Sequence, residues 1–337
     1  MRTRQGMLLI MTAVGMSGCA LLGPRLPQVA AGAYPEVTLA NDLVKVRVML
    51  PDPERGYYRS VRFDWSGMIA RAEYKGHTFF GEWKEPHDPL GLDHGVGPAE
   101  EFNTASFGFP GPLGYQQAKP GGTFMKIGVG ELIKPTAEQY LFYSKYELKN
   151  PGKRTVRHGP DWIEFRHELA VGDWAYEYTK RVSLAPGQPA VVVDRTLRNT
   201  GKLPIVSSHY GHNFLRIDDS PAGPDYVVRF PFTPLVKNTL NAYAAVVGHD
   251  IYFAREMAGA AVIPTPLGGF EETPANNWVQ VDNTRTGASV RITGTAPVKV
   301  WYLFAVRNAV CPEAYIGLDV APGQEARWQT TYELIVP

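Results

Sequence analysis

The segment SSHYGHNFLRID, residues 207–218, carries His209, His212 and Asn213 inside a run that otherwise has the character of a β-strand. Imidazole titrates closest to neutral pH, so either histidine could act as a general acid or base. Side chains alternate across a strand, which puts His209 and Asn213 on one face and His212 on the other. Only one imidazole can therefore face a cleft, and either could instead be a core residue hydrogen-bonded to the backbone.

Further polar side chains crowd the region before residue 101, where His87, Asp88, Asp93, His94 and Glu100 occur close together. Histidine and carboxylate are metal ligands, but this spacing matches no known metal pattern. We therefore predict neither a metal nor a cofactor.

The N-terminus has the order of a secretory signal. Arg2 and Arg4 precede an apolar run at 7–14, and small residues lead to Cys19. The expected cleavage site before Cys19 resembles a bacterial lipobox, in which the cysteine is lipidated. Alanine at position 20, directly after the cysteine, resembles the pattern that sorts such lipoproteins to the outer membrane. An ordinary or uncleaved signal is the alternative.

These features predict a lipoprotein signal peptide at 1–18 and a lipidated linker at 19–35, rich in Pro, Gly and Ala. The expected location is the outer membrane, facing the periplasm. Lipidation of Cys19 would leave Cys311 without a disulfide partner, so Cys311 is predicted to be a small buried hydrophobe.

The composition of the whole chain limits its function. The 337 residues are 44% hydrophobic and 20% charged, which favours a globular fold with a sizeable core. The formal net charge is +1 without long runs of one sign, so no nucleic-acid partner is predicted.

Short runs with period-two alternation fill residues 36–337, with one segment, 135–148, that could hold a helical turn or two. No change of composition divides this part of the chain. We predict one all-β domain, a large antiparallel β-sandwich. The expected strand runs are 37–39, 44–50, 61–65, 174–182, 190–193, 226–230, 298–304 and 328–334.

Several segments, taken in order, resemble the aldose 1-epimerase or galactose mutarotase-like superfamily, and in particular an uncharacterised bacterial lipoprotein branch of it. The resemblance covers most of residues 36–337. It lies in SVRFDWSGMIARAEYKGHTFFGE at 60–82, GVGPAEEF at 95–102, FMKIGVG at 124–130, HNFLRID at 212–218 with PDY at 224–226, and CPE at 311–313 with APGQE at 321–325 and 328–333.

The resemblance implies a galactose mutarotase-like supersandwich with a sugar cleft. It also implies that a strand histidine is the general acid that protonates the ring oxygen. Glu313 stands at the place of the family's C-terminal acidic residue and would be the general base that takes the proton of the anomeric hydroxyl. His209 keeps the family's spacing from histidine to asparagine, whereas His212 lies in the H-N-F unit of the closer branch. We favour His212 and keep His209 as the alternative.

Five further residues are candidates for sugar binding. Glu100 and Glu101 stand where mutarotases usually carry an arginine and an asparagine, a departure that puts ordinary glucose or galactose specificity in doubt; a solvated loop pair is the alternative. Asn213 follows the favoured histidine. Trp83 and Trp278 could stack on a pyranose face.

The expected function is therefore an aldose 1-epimerase-like isomerase. The alternatives are a non-catalytic carbohydrate-binding lipoprotein in glycan uptake, or a lyase or hydrolase on the same scaffold. The expected partner is a mono- or oligosaccharide. We expect a monomer that contacts the membrane only through its lipid.

Overall fold

The computed structural model describes residues 34–337, which form β-sheets and contain no α-helix. The predicted signal at 1–18, Cys19 and nearly all of the linker lie outside the described residues. Two short 3-10 helices span Ile217–Asp219 and Pro274–Asn276. The strands are β1 (Glu36–Ala40), β2 (Val44–Met49), β3 (Ile69–Tyr74), β4 (His77–Thr78), β5 (Gly97–Phe102), β6 (Thr123–Lys126), β7 (Gly130–Ile133), β8 (Glu147–Asn150), β9 (Lys153–His158), β10 (Trp162–Val171), β11 (Trp174–Leu184), β12 (Ala190–Asn199), β13 (Ile205–Phe214), β14 (Tyr226–Arg229), β15 (Leu235–Val236), β16 (Ala244–Val247), β17 (Asp250–Phe253), β18 (Ile263–Gly268), β19 (Trp278–Asn283), β20 (Ser289–Gly294), β21 (Val300–Val306), β22 (Ala309–Val320) and β23 (Glu325–Ile335).

Two large antiparallel sheets dominate the architecture. Ten strands follow the order β16-β17-β14-β19-β20-β23-β12-β11-β10-β9, and six follow the order β15-β18-β21-β22-β13-β5. Smaller sheets, β1-β2-β3-β4 and β6-β7-β8, complete the fold. The prediction of an all-β antiparallel sandwich is confirmed.

The long sheet is mainly apolar on its buried face, which also carries Lys180 and Arg195, and mainly polar on the other. Along β12, Val191, Val193 and Leu197 are buried, whereas Asp194 is half-buried and Arg198 is exposed. This alternation is the period-two pattern read from the sequence. Burying each such aliphatic side chain contributes about 1.5–3 kcal/mol to stability.

Two local predictions were wrong. Residues 61–65 form no strand, although Val61, Phe63 and Trp65 are all buried. Here the apolar alternation reflects an irregular segment packed on the core, which local periodicity does not distinguish from a strand. Segment 135–148 forms turns and the start of β8 instead of a helical turn.

Strand β13 lies between β22 and β5 in the six-stranded sheet. In its pairing with β22, His209 lies opposite Ile316, and an isolated bridge beyond the end of β13 keeps the same register. That register places His212 directly opposite Glu313. Residues from two distant parts of the sequence therefore become neighbours through strand pairing alone.

Candidate active site

A pocket of about 440 Å³ opens on one face of the six-stranded sheet. Its volume falls in the range of small-molecule sites. The floor comes from β13, β21 and β22, and the walls from loops that cross this face. The lining residues are Arg62, Trp83, Asp93, Glu101, Thr104, Ser106, Phe107, Phe142, Tyr210, His212, Asn238, Pro264, Pro266, Tyr302, Phe304, Glu313 and Tyr315.

His212 and Glu313 meet at the floor of this pocket. His212 Nε2 lies 3.3 Å from Glu313 Oε1, and both side chains are almost fully buried. The His212 ring stacks on Phe214 with centroids 4.1 Å apart, which fixes its plane. His212 Nδ1 is buried and has no hydrogen-bond partner among the described residues. The carboxyl group is therefore the polar neighbour of this imidazole.

Tyr315 holds the second oxygen of the carboxyl group. Its hydroxyl donates to Glu313 Oε2 at 2.9 Å, and its ring stacks on Tyr210 with centroids 4.1 Å apart. Tyr210 in turn donates to Glu101 Oε2 at 2.7 Å, and Lys126 Nζ lies 2.8 Å from Glu101 Oε1. A continuous buried network thus fixes the orientation of Glu313.

Arg62 forms one wall of the pocket, and each of its three nitrogens makes a hydrogen bond. Its guanidinium donates to Glu101 and Tyr210, each at 3.0 Å, and pairs with Asp93. It also lies over the ring of Phe142, 4.8 Å from the centroid. This side chain is therefore a fixed positive charge rather than a free anion receptor.

Burial moves the pKa values of the central pair in opposite directions. Desolvation raises the pKa of Glu313 to about 8, against the hydrogen bond from Tyr315 and the charge of Arg62. Desolvation, together with the Arg62 charge, holds the pKa of His212 well below its usual value. At neutral pH the pair is therefore a protonated carboxyl group beside a neutral imidazole.

The comparisons with known proteins identify the fold. No family model matches the chain, and no curated protein matches it either. Among solved structures, a galactose mutarotase-like protein from Clostridium acetobutylicum is similar, with a TM-score of 0.56 at 10% identity over 90% of this chain and 96% of that one. The chain has the galactose mutarotase-like fold.

Two further structures support this assignment. The GalM/aldose epimerase homologue from C. elegans has a TM-score of 0.54 at 11% identity, over 90% of this chain and 100% of that one. A galactose mutarotase related enzyme from Lactobacillus acidophilus has a TM-score of 0.53 at 12% identity, over 89% of this chain and 97% of that one. Identities this low establish the mutarotase-like fold alone.

His209 lies on the opposite face of β13 from the pocket. Its Nε2 is 3.1 Å from Glu100 Oε2, and the Trp328 indole donates to its Nδ1 at 3.2 Å. Desolvation lowers the pKa of His209 to about 4. The recess on this face measures only about 40 Å³, room for water but not for a sugar. The structure therefore places His212 in the pocket and His209 outside it.

Glu100 belongs to the same interior face, so its predicted contact with sugar does not fit this pocket. Arg195 Nη2 lies 2.5 Å and Lys180 Nζ 3.0 Å from Glu100 Oε1. Burial opposes ionisation, but these two cations outweigh it and hold the pKa of Glu100 well below its usual value. Glu101, by contrast, lines the pocket. Both are buried in β5, which excludes the alternative of a solvated loop pair.

Asn213 also faces the interior and has a structural role. Its Nδ2 donates to the Pro312 carbonyl at 2.7 Å, and Tyr332 donates to its Oδ1 at 3.0 Å. Proline has no backbone N–H, so it interrupts the hydrogen-bond ladder of a central strand. The Asn213 amide bridges β13 and β22 at that interruption, and its predicted contact with sugar does not fit this position.

The two candidate tryptophans are also separated. Trp83 lines the pocket and stacks on Phe214, with its indole donating to the Asp93 carbonyl at 2.8 Å. Trp278 begins β19 in the other large sheet, where Arg291 lies 4.1 Å from the centre of its ring. Trp278 is therefore not positioned for the predicted stacking on sugar.

The remaining polar candidates are engaged elsewhere. His87 stacks on Tyr57, and His94 Nδ1 accepts from the backbone N–H of Asp88 at 2.9 Å. Within residues 34–337, no three His, Cys, Asp or Glu side chains are arranged to hold a metal ion. Cys311 is buried, and desolvation holds the pKa of its thiol well above the usual value. No helix in this described range is long and apolar enough to span a bilayer.

Sequence reasoning missed most of the pocket lining, including Arg62, Phe107, Tyr210 and Tyr315. Tyr210 and Tyr315 each lie two positions from a predicted site residue on the same strand, so alternation alone could have identified them. Arg62 and Phe107 come from loops distant in sequence, and no local signal marks either one.

Proposed function

We propose that the protein binds a sugar in this pocket and interconverts its anomers by proton transfer through His212 and Glu313. The observation that carries the proposal is the 3.3 Å contact between His212 Nε2 and Glu313 Oε1 at the floor of the pocket. Relatives in fold that are named aldose epimerase homologue or mutarotase related enzyme support a carbohydrate-directed scaffold.

The chemistry requires one acid and one base beside the anomeric carbon. Ring opening takes the proton from the hydroxyl at C1, forms the C1 carbonyl, breaks the bond from C1 to the ring oxygen and protonates that oxygen. Both oxygens are bonded to C1, so they lie closer together than a hydrogen-bond length. A pair such as His212 and Glu313 can serve both oxygens from one side of the ring.

An acid and a base that act from opposite sides of the sugar would require a gap one ring wide between the two groups. The 3.3 Å contact leaves no such gap. In this proposal the sugar lies in the pocket over the His212–Glu313 pair, and its anomeric carbon faces these two side chains.

The pKa directions favour an exchange of the roles that the resemblance implied. Protonated Glu313 donates to the ring oxygen, and neutral His212 accepts the proton of the C1 hydroxyl. The open-chain intermediate then lies above an ion pair of carboxylate and imidazolium. Rotation about the bond between C1 and C2, followed by the reverse transfers, closes the ring as the other anomer and restores both groups.

The test follows anomer exchange for freshly dissolved single-anomer sugars by optical rotation or proton NMR. We expect the wild type to accelerate equilibration of at least one sugar, and the Glu313→Gln variant to lose about a hundredfold or more of that rate. Glu271→Gln alters an exposed carboxylate and is the matched control. Identical rates for wild type and Glu313→Gln on every sugar would contradict the proposal.

A non-catalytic sugar-binding function is the second candidate. The aromatic lining favours it, because flat rings offer contact area to a pyranose with little loss of conformational entropy. These rings are Trp83, Phe107, Phe142, Tyr210, Tyr302, Phe304 and Tyr315. Sugar binding without any acceleration of anomer exchange would select this candidate.

The lipid anchor is a separate proposal that rests on the sequence around Cys19. We propose that Cys19 is lipidated after removal of residues 1–18 and tethers the domain to the outer membrane, facing the periplasm. Metabolic labelling with a radioactive fatty acid should mark the wild type and not the Cys19→Ser variant. Labelling of both proteins would contradict the anchor.

A further inference from the structure

We propose that Phe107 forms an outer subsite that binds a second uncharged sugar ring, so that the pocket prefers an uncharged disaccharide or longer glycan to a monosaccharide. This inference rests on the sugar-binding function proposed for the same pocket. It adds the class of ligand and the residues that select it.

Phe107 is a large apolar side chain left open at the mouth of the pocket. It is 44% exposed, and its ring centroid lies 5.4 Å from that of the half-buried Tyr302. The two rings meet at 45°, which leaves an accessible aromatic face on the rim. The apolar C–H face of a pyranose is the complement of such a surface.

The backbone that presents Phe107 is held in an unusual conformation. Asn103, Ala105 and Phe107 have φ values of 53°, 57° and 56°, in the left-handed region that disfavours residues with a Cβ. Hydrogen bonds close the neck of this loop, from Ala105 N to the Pro110 carbonyl and from Asn103 Nδ2 to the Gly111 carbonyl. Strain maintained in this way is characteristic of ligand-binding segments.

The layout leaves room for two rings. Glu313 lies at the floor, where Tyr315 hydrogen-bonds to it and Tyr302 lies directly opposite it on β21. The Phe107 ring centroid is 5.3 Å from that of Tyr315 and 5.4 Å from that of Tyr302. A first sugar above Glu313 therefore does not need Phe107, which remains free for the next ring. The pocket volume of about 440 Å³ accommodates more than a single pyranose.

The charges of the pocket favour an uncharged ligand. Of the described lining residues, Arg62 is the only lysine or arginine, and its charge is paired with the carboxylates of Asp93 and Glu101. A carboxylate or phosphate on the sugar would need a free guanidinium or ammonium group for recognition. The lining therefore holds one cation against the two carboxylates of Asp93 and Glu101 with which it pairs, and offers no unpaired cation to an anion.

The experiment is calorimetric titration of the full domain with three groups of probes. The neutral monosaccharides are glucose and galactose, the neutral disaccharides are maltose, cellobiose and lactose, and the acidic sugars are glucuronate and glucose 6-phosphate. Each is measured with the wild type, Phe107→Ala and Phe107→Trp. The control is Tyr252→Ala, which removes an exposed aromatic ring from β17 in the other large sheet.

We expect at least one disaccharide to bind more tightly than its monosaccharide, and neither acidic sugar to match glucose. Phe107→Ala should weaken disaccharide binding about three- to tenfold and weaken monosaccharide binding less, whereas Phe107→Trp and Tyr252→Ala keep the preference. Equal losses on both sugar sizes, no disaccharide preference in the wild type, or equal binding of acidic sugars would each overturn the inference.

Failure of the epimerase proposal and failure of the outer subsite would give different results. A disaccharide preference that depends on Phe107, without acceleration of anomer exchange, contradicts catalysis and leaves the outer subsite intact. Absence of binding by every probe overturns both the subsite and the sugar-binding function on which it rests.

Discussion

Replacing Glu313 with glutamine tests whether this carboxyl group is protonated in the folded protein. The side-chain amide of glutamine has the shape of the neutral acid. Its NH2 group can donate to His212 Nε2, and its oxygen can accept from Tyr315, so both contacts of the protonated carboxyl group are kept. The variant therefore removes the ionisation and little else.

The magnitude follows from the two pKa values of Glu313. Its side chain ionises near 4.5 when unfolded and near 8 when folded, so between these values the folded protein holds one more proton. The unfolding free energy contributed by this group is full below pH 4.5 and falls as pH rises to 8. The values lie about 3.5 pH units apart, and each unit corresponds to about 1.36 kcal/mol, which gives a loss of up to about 5 kcal/mol.

The assay is urea unfolding of both proteins at half-unit steps between pH 5 and pH 9, followed by intrinsic fluorescence. Glu313→Gln should gain stability relative to the wild type as pH rises, and the difference should level off above pH 8. Glu271→Gln, at an exposed position, should follow the wild type throughout.

Two results would refute the reasoning. A difference that does not change with pH would mean that Glu313 ionises in the folded state as it does in the unfolded chain. A glutamine variant that is less stable at every pH would instead indicate a carboxylate paired with an imidazolium at His212, with the catalytic roles that the resemblance implied.

Three further predictions follow from the same contacts. The rate of anomer exchange should decline as pH rises through about 8, when Glu313 loses its proton; a pH–rate profile that is flat to pH 10 would argue against this. Tyr315→Phe removes a hydrogen bond that lowers the pKa of Glu313, so the same decline should move to higher pH, while an unmoved profile would exclude this role. Glu100→Gln leaves the buried Arg195 without its anion and Lys180 with only the more distant Asp64, 3.7 Å away, and should cost about 3–5 kcal/mol in urea unfolding. A loss below about 1 kcal/mol would mean that the cluster is not a buried ion network.

Much of the fold followed from local pattern. Alternation predicted the strands that became β1, β2, β11, β12, β14, β21 and β23, and their number and spacing indicated an antiparallel sandwich. The same rule misassigned residues 61–65, because an irregular segment that buries every second side chain has the same apolar pattern as a strand. The apolar period shows which side chains are buried, but the pairing of backbone hydrogen bonds that defines a strand has to be inferred from it.

The candidate site was only partly accessible from the sequence. Of the eight residues proposed for catalysis or sugar binding, His212, Glu313, Glu101 and Trp83 line the pocket, and the other four lie elsewhere: His209, Asn213, Glu100 and Trp278. Alternation separated His209 from His212 correctly, but it does not tell which face of a strand stays open. The catalytic roles remain predictions.

The sequence by itself determined that His209 and His212 face opposite ways, because side-chain direction in a strand depends only on position along the chain. Only the tertiary structure decided which of them borders a cavity. The ten-stranded sheet covers the His209 face, whereas the loops carrying Arg62, Trp83 and Phe107 surround the His212 face without filling it. Burial by these distant segments also sets the protonation of Glu313, because desolvation depends on everything packed around a group and not on its neighbours in sequence.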